Sequence, residues 1–357
     1  MSIDQSKAFD NIKRKVVINL LKDAGCSEDD IKLVKCLLTN TKLKIKLEKA
    51  TSEAFFETTL GSFQGDCLSG KLFTLYLVGS LNHLRAVLLN RPNPPISDDQ
   101  MPLEMEYVDD TDFLDENKEN LEAMLPNITS LFMDWNLKVN PTKTEFTTFS
   151  VDKNPKNRGK EAWRDHKILG SKACSVKDIE NRIRIANYSF KNLQKCWLKG
   201  TKLRTHTKLR VYNTMIVPIL LYNSGTWAVP KHVFEKIESC RRTHLRIILN
   251  IRYPNIISNE ELYKRCEMRP IIENIEKARW NTLGKILRQS ENKPAQNALI
   301  FAAVNSKKYP PRRGRPPINL LDTIKEDIKR KGLKIDTIED IWDLRRQAKD
   351  TKLWESL

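Results

Sequence analysis

The sequence predicts two regions of different class: an α+β region with an antiparallel sheet flanked by helices, followed by an almost wholly helical region. The alternating stretch KLKIKL at residues 42–47 is typical of a strand. From residue 178 onward, apolar residues recur at alternating steps of four and three as far as Trp197, which indicates a helix with one buried face. The charge also changes between the halves, since residues 1–150 carry 17 Lys+Arg and 23 Asp+Glu, whereas residues 151–357 carry 45 and 22.

The first half contains four segments with the apolar spacing of helices. One of them begins with Ser27 followed by Asp30 three residues later, which resembles a capping box and marks a helix start. The expected elements, in chain order, are helices over residues 11–24, 27–38, 69–89 and 117–135, with the strand at 42–47, a loop at 91–100, and a short strand before Asn140-Pro141.

Composition excludes several classes of protein. No run of 18 apolar residues occurs, so no membrane span and no membrane partner are expected. The opening MSIDQSKAFD lacks the features of a signal peptide. The seven cysteines form no Cys-x-x-Cys pair, so neither a disulfide framework nor a zinc site is expected. A reducing, intracellular compartment is therefore expected.

The strongly basic second half predicts a polyanionic partner, and the acidic first half predicts a cationic one. A surplus of this kind is also common in ribosomal and chromatin proteins. Charge therefore indicates a class of partner and leaves the reaction open.

Residues 105–114, MEYVDDTDFL, place Asp109 and Asp110 side by side between apolar and aromatic residues. Neighbouring side chains on a strand point to opposite faces, so a buried strand would have to bury one of these charges. A tight strand turn that presents carboxylates to a metal ion fits the pattern. A solvated acidic loop fits it as well.

Five segments in order carry a resemblance to a known family: IDQSKAFD at 3–10, FQGDCLSGKLF at 63–73, YVDD at 107–110, NLKVNPTKTEF at 136–146 and KILGS at 167–171. Together they resemble the palm of a reverse transcriptase of the non-LTR (long interspersed element) retrotransposon class. More loosely, DIENRIRIANYSFKNL resembles the first thumb helix of that family. The resemblance implies a palm over residues 1–175, a helical thumb over 176–228, and a basic helical region over 229–357 with a Pro/Arg-rich linker at 307–317.

The family reaction is RNA-directed DNA synthesis: template-directed addition of deoxynucleotides (dNTPs) to a primer 3′ end on an RNA template. Such nucleotidyl transfer uses two divalent ions about 3.5–4 Å apart. The resemblance implies Mg²⁺ as the cofactor, with Mn²⁺ as a substitute. It also implies four roles: metal ligands, a proton donor to pyrophosphate, a steric gate against the 2′-hydroxyl, and contacts to nucleotide and template. Asp4, Asp109 and Asp110 would be the metal ligands, and Lys143 the proton donor to pyrophosphate. Phe9 would be the steric gate, and Gln64 and Gly65 would contact the nucleotide and the template.

The thumb of this family grips the nucleic-acid backbone, and here the resemblance assigns that contact to Arg182, Arg184, Lys191 and Lys195. Taken without its neighbours, the same segment also fits an ordinary surface helix. Phe9 equally fits a core phenylalanine, and Lys143 an exposed turn lysine.

Only Ser2 and Ile3 stand between Met1 and Asp4, whereas the family has a longer strand, a fingers region and an endonuclease before the palm. Gly70 also stands where the family has proline. We therefore expect a truncated element copy or an incomplete gene model, with a loosely held first strand. Two functions remain: an RNA-directed DNA polymerase, and a catalytically inert nucleic-acid-binding remnant. The element class implies a nuclear location.

Overall fold

The computed structural model describes residues 1–44, 46–47, 50–51, 55–63, 65–89, 104–150, 160–198, 203–290, 293–305 and 318–356. The chain divides into two compact units, unit 1 (Met1–Phe149) and unit 2 (Ser150–Leu357).

Unit 1 alternates short strands with helices. Its strands are β1 (Ser2–Ile3), β2 (Gln5–Ser6), β3 (Thr41–Leu43), β4 (Lys46–Leu47), β5 (Ala50–Thr51), β6 (Phe56–Thr58), β7 (Glu104–Tyr107), β8 (Asp110–Phe113) and β9 (Lys138–Val139). Its helices are α1 (Ala8–Asn11), α2 (Arg14–Asp23), α3 (Glu28–Leu38), α4 (Ser69–Leu89) and α5 (Lys118–Asp134).

The first strand segment is held on both of its edges. β1 pairs antiparallel with β8, which pairs with β7, while Ser2 also bridges to Glu145. β2 then pairs antiparallel with β9. The Met1 ammonium donates to the Phe113 carbonyl at 2.7 Å and is buried, which lowers its pKa. The start of the chain is therefore well anchored, contrary to the loose first strand expected from sequence.

The core of unit 1 forms where α2, α4 and α5 contribute apolar faces beneath these strands. Its largest fully buried side chains include Phe73, Tyr76, Phe113 and Phe132. At the start of α3, the Ser27 hydroxyl accepts from the Asp30 N–H and satisfies a free amide of the first turn.

The described part of unit 2 is helical apart from one small hairpin. Its elements are β10 (Lys167–Ile168), β11 (Ser171–Lys172), α6 (Ser175–Leu193), α7 (Thr205–Met215), α8 (Val217–Leu220), α9 (Lys231–Ile248), α10 (Asn259–Cys266), α11 (Ile271–Arg288), α12 (Pro294–Asn305), α13 (Leu320–Arg330), α14 (Ile338–Lys349) and α15 (Thr351–Ser356).

Two apolar cores lie within unit 2. The first core is formed by the helices from α6 through α10 and by the start of α11, and it includes Tyr212 and Trp227. The second joins the end of α11 to α12 through α15, where Trp280 and Trp354 stack with ring centroids 3.8 Å apart. Each of these two indole N–H groups donates to the carbonyl of the other tryptophan.

The four helices expected in the first half are confirmed, with ends within three residues of their predicted positions. The expected strand at 42–47 corresponds to β3 and β4. In unit 2, Trp197 was predicted to continue the buried stripe but is 54% exposed, because residues 194–198 form a π-helical turn that changes the spacing. The predicted loop 91–100 and linker 307–317 lie outside the described residues. None of the helices in the described part of the chain is long and apolar enough to span a membrane.

Candidate active site

A tight hairpin presents the paired carboxylates. β7 and β8 are joined by Val108 and Asp109, and the register closes with Tyr107 opposite Asp110. Val108 has φ 58°, a value that β-branched residues rarely adopt and that two-residue hairpins usually give to glycine. The four residue pairs of the hairpin hold this strained turn in place. The acidic stretch is therefore a tight turn between two strands, which is the first of the two interpretations of the sequence.

Strand pairing brings Asp4 to the same end of the sheet. β1 pairs with β8 so that Ser2 is opposite Asp112 and Ile3 is opposite Thr111, and the next positions along are Asp4 and Asp110. The Asp4 carbonyl accepts from the Asn140 N–H at 2.8 Å, which fixes the backbone between β1 and β2. Residues far apart in the chain thus meet across one pair of strands.

Negative charge is concentrated at this end of the sheet. Partial burial of the carboxyl raises the pKa of Asp110, and the neighbouring charges of Asp109, Asp112 and Asp4 raise it further. Like charges in one place are unfavourable unless a cation offsets them. Asp112 was not identified from sequence, although it lies two residues after Asp110 and therefore on the same face of β8.

Lys143 supplies one such cation. Its ammonium lies 3.3 Å from Asp4 Oδ2 and 3.4 Å from Oδ1. The lysine belongs to a turn in which the Lys143 and Thr144 N–H groups donate to the Asn140 carbonyl. Asn140 also bonds to Asp4, so the turn and the acidic site are connected through the backbone.

Oxygen ligands from carboxylates are those that hard divalent cations prefer, and the donor set of Asp4, Asp109 and Asp110 fits such ions. The repulsion acting on Asp110 is what a bound cation would relieve. Within the described residues, however, no three His, Cys, Asp or Glu side chains are already arranged to hold a metal ion. The carboxylates are adjacent without forming a finished cage.

Phe9 lies on α1, half-buried, with its ring stacked on Phe73 at a centroid distance of 4.6 Å. Its carbonyl accepts from the Ser62 N–H at 2.9 Å, and the Gly61 N–H donates to the Ile12 carbonyl at 2.9 Å. The segment that leads into the second motif is therefore attached to the backbone around Phe9.

Gly61 has φ +77°, and a Cβ there would lie 2.8 Å from the Asp10 carbonyl oxygen, so only glycine fits this close approach. Gly65 also has positive φ, is exposed, and has open space around its Cα. Gln64 lies outside the described residues.

The four basic positions on α6 and the turn after it differ in exposure. Arg182 is buried, and its guanidinium donates to the Gly170 carbonyl and the Ser171 hydroxyl, beside Asp178. Arg184, Lys191 and Lys195 are exposed. Tyr188 is 70% exposed and falls between Arg184 and Lys191 at helical spacing. The outward surface of this helix is thus a stripe of three basic side chains and one aromatic ring. Arg182 does not belong to this stripe, because its side chain makes its contacts in the interior.

The role of Arg14 was not predictable from the sequence, because a lone arginine at a helix start carries no motif. Its guanidinium donates to the carbonyls of Gly61, Leu38 and Thr58 and to the hydroxyls of Thr41 and Thr58, at distances of 2.6–2.9 Å. It holds the β3–β6 pair and the Gly61 turn against α2.

The fold is a mixed α+β fold with small antiparallel sheets, and comparison with known proteins identifies its family. The family model described as reverse transcriptase (RNA-dependent DNA polymerase) matches residues 1–189, more than half of the chain. The chain belongs to the reverse transcriptase family.

No curated protein sequence matches the chain. Among solved structures, a telomerase from Candida tropicalis in complex with a TWJ fragment of telomeric RNA is similar at 14% identity and a TM-score of 0.33. That match covers 74% of this chain and 48% of the telomerase chain, so the protein spans about half the length of that structure.

Proposed function

We propose that the protein is an RNA-directed DNA polymerase of a non-LTR retrotransposon, acting in the nucleus on an RNA template, a DNA primer and dNTPs. The observation that carries the proposal is the pairing of β1 with β8, which ends with Ile3 opposite Thr111 and so brings Asp4 near Asp110 and the Asp109 turn. Under this proposal residues 1–175 act as palm, 176–228 as thumb, and 229–357 as a further basic nucleic-acid-binding region.

Each site residue has a distinct proposed task. Asp4, Asp109 and Asp110 would hold two divalent ions, Mg²⁺ in the first instance. When bound, such ions lower the barrier by activating the primer hydroxyl and stabilising charge on the triphosphate.

Phe9 would contact the incoming sugar, and Gln64 with Gly65 the nucleotide and template. Lys143, whose ammonium lies beside Asp4, would donate a proton to the leaving pyrophosphate. The exposed Arg184, Lys191 and Lys195 would bind backbone phosphates.

The test is primer extension by the purified full chain on a primed RNA template with Mg²⁺. Asp110→Asn keeps the shape of the side chain but removes its charge, so we expect extension to fall at least about a hundredfold. Asp23→Asn, an exposed residue on α2, is the matched control and should extend normally. Failure of the unmutated chain to extend any primed template with Mg²⁺ or Mn²⁺ would exclude the polymerase.

A second candidate is an inert nucleic-acid-binding remnant, favoured by the engagement of Asp4 with Lys143 and by the unfinished cation cage. This function predicts salt-sensitive binding of primed RNA without extension, equal for the unmutated chain and for Asp110→Asn. Extension by the unmutated chain would eliminate it.

A further inference from the structure

Unit 2 contains a cavity of about 470 Å³ between α7, α9 and the start of α11. Its polar lining consists of Asn213, Arg241, Arg269, Glu273, Asn274 and Lys277. None of these residues belongs to the carboxylate cluster, to the family motifs or to the basic stripe of α6.

Arg241 is the central feature of this cavity because it is a buried cation without a partner of opposite charge. Its side chain is 4% exposed, and it donates only to neutral atoms, the Arg269 carbonyl at 2.7 Å and the Met268 sulfur at 3.4 Å. Its Nε–H is enclosed and has no acceptor in the structure.

The acidic residue three positions earlier on α9 makes no ion pair with Arg241. Glu238 accepts instead from the Tyr263 hydroxyl and from the Ile271 N–H. No ion pair to Arg241 is present among the described residues. A buried charge in this state is costly, and a bound anion would offset it.

The rim of the cavity adds further positive charge. Arg269 is paired with Glu273 at 3.5 Å, so these two cancel. Lys277 is exposed, and within the described chain no acidic side chain pairs with it. The net charge facing the cavity is therefore that of Arg241 and Lys277. Asn213 and Asn274 add amide groups that can donate.

We propose that this cavity, the Arg241 cavity, binds a phosphate dianion. Two cations without an ion-pair partner match the charge of a monoester or inorganic phosphate near neutral pH, whereas a carboxylate would leave one of them unpaired. A planar guanidinium beside a lysine and amide donors is the chemistry that recognises phosphate oxygens. Two kinds of ligand carry such a phosphate group: the terminal phosphate of a nucleic-acid strand and a free polyphosphate.

The first experiment titrates inorganic phosphate into the full chain at constant ionic strength and follows heat of binding and thermal unfolding. Binding should saturate and raise the unfolding temperature. Lys277→Glu should weaken it at least about tenfold. Lys285→Glu makes the same charge reversal at an exposed position on the same helix, outside the cavity, and should bind phosphate normally.

The absence of saturable binding up to millimolar phosphate would overturn the proposal. An equal loss in Lys277→Glu and Lys285→Glu would overturn it too, because that result reports general charge alone. Both substituted lysines are exposed, so the variants should fold.

A second experiment distinguishes the two sources of phosphate. Binding of a short single-stranded RNA with a 5′-phosphate is compared with that of the same RNA with a 5′-hydroxyl, and both with pyrophosphate. A strand end as ligand predicts tighter binding of the phosphorylated RNA, a difference that Lys277→Glu removes. A free polyphosphate predicts tight pyrophosphate binding and no difference between the RNAs. The site is independent of the proposed polymerase, so Asp110→Asn should leave phosphate binding unchanged.

Discussion

Asp110 shows at the scale of one residue how the fold accepts an unfavourable local arrangement. The turn before it contains Val108 at φ 58°. Partial burial raises the pKa of Asp110, and three neighbouring carboxylates raise it further. A protein selected for stability alone would not retain both features. Their coincidence at one hairpin supports a functional reason for the cluster.

This conflict predicts that removing the charge stabilises the protein. Because the pKa of Asp110 is raised in the folded state, the folded chain binds a proton at that carboxyl more readily than the unfolded chain does. At neutral pH the ionised carboxylate therefore lowers the free energy of unfolding. Asp110→Asn should raise that free energy by no more than about 1 kcal/mol, since solvent screens an exposed group. Chemical denaturation at pH 7 measures it.

The gain should shrink as the pH falls through the raised pKa of the folded carboxyl, because the unmutated chain then binds a proton there and loses the unfavourable charge. Asp23→Asn should show neither the gain nor this pH dependence. A less stable Asp110→Asn variant at pH 7 would mean that the carboxylate makes a net favourable contact.

At the scale of elements, Arg14 joins pieces that the sequence does not connect. One guanidinium bonds to Gly61, Leu38, Thr41 and Thr58, so α2, the end of α3, the β3–β6 pair and the turn at Gly61 share a single anchor. The Gly61 turn in turn bonds to the backbone near Phe9. Partial burial lowers the pKa of Arg14, but all three of its guanidinium nitrogens donate hydrogen bonds.

Arg14→Lys should therefore destabilise unit 1. A lysine ammonium offers three donors from a point, and cannot reach five acceptors spread across a planar fork. We expect a loss of about 2 kcal/mol in the free energy of unfolding. Lys15→Arg, at the next and exposed position of α2, should change it by less than about 0.5 kcal/mol. Equal unfolding free energies for Arg14→Lys and the unmutated chain would show that the anchor is dispensable.

The elements also show what sequence can and cannot predict. Local signals sufficed for α2 to α5, because apolar period and the Ser27 cap act within each helix. The meeting of Asp4 with Asp110 is a pairing between distant strands, and only the family resemblance indicated it. Arg14 and the cavity around Arg241 depend on tertiary contacts that leave no periodic pattern. The helical pattern around Arg182 predicted an exposed side chain, but its contacts with Asp178 and the Gly170 carbonyl keep it buried.

At the scale of the whole molecule, the two units are built from separate cores and opposite charges. Residues 1–150 are net acidic and residues 151–357 strongly basic. The apolar clusters share no residue between Met1–Phe149 and Ser150–Leu357. A condition that acts on a buried group of one unit should therefore affect that unit selectively.

His244 is such a group in unit 2. The ring is 3% exposed and stacks on Phe190 at a centroid distance of 3.9 Å. Tyr212 OH lies 3.2 Å from Nδ1, and Asn187 Oδ1 lies 2.8 Å from Nε2. A neutral imidazole with its proton on Nε2 satisfies both contacts. Burial lowers the pKa of His244 to about 4.

Acid should consequently weaken unit 2 in a definite window. Below pH 6.5, the pKa of histidine in the unfolded chain, the unfolded chain binds a proton at His244. The folded ring stays neutral until about pH 4. The free energy of unfolding is therefore highest above pH 6.5 and decreases as the pH falls from 6.5 to 4. Between pH 6.5 and 5 the free energy of unfolding should fall by about 2 kcal/mol. Tryptophan fluorescence during urea denaturation measures this decrease, since six of the seven tryptophans lie in unit 2.

His244→Gln should flatten the pH dependence of the unfolding free energy, whatever the absolute stability of the variant. His232→Gln, at an exposed position on α9, should keep that dependence. An unchanged slope in His244→Gln would show that the ring is protonated in the folded protein.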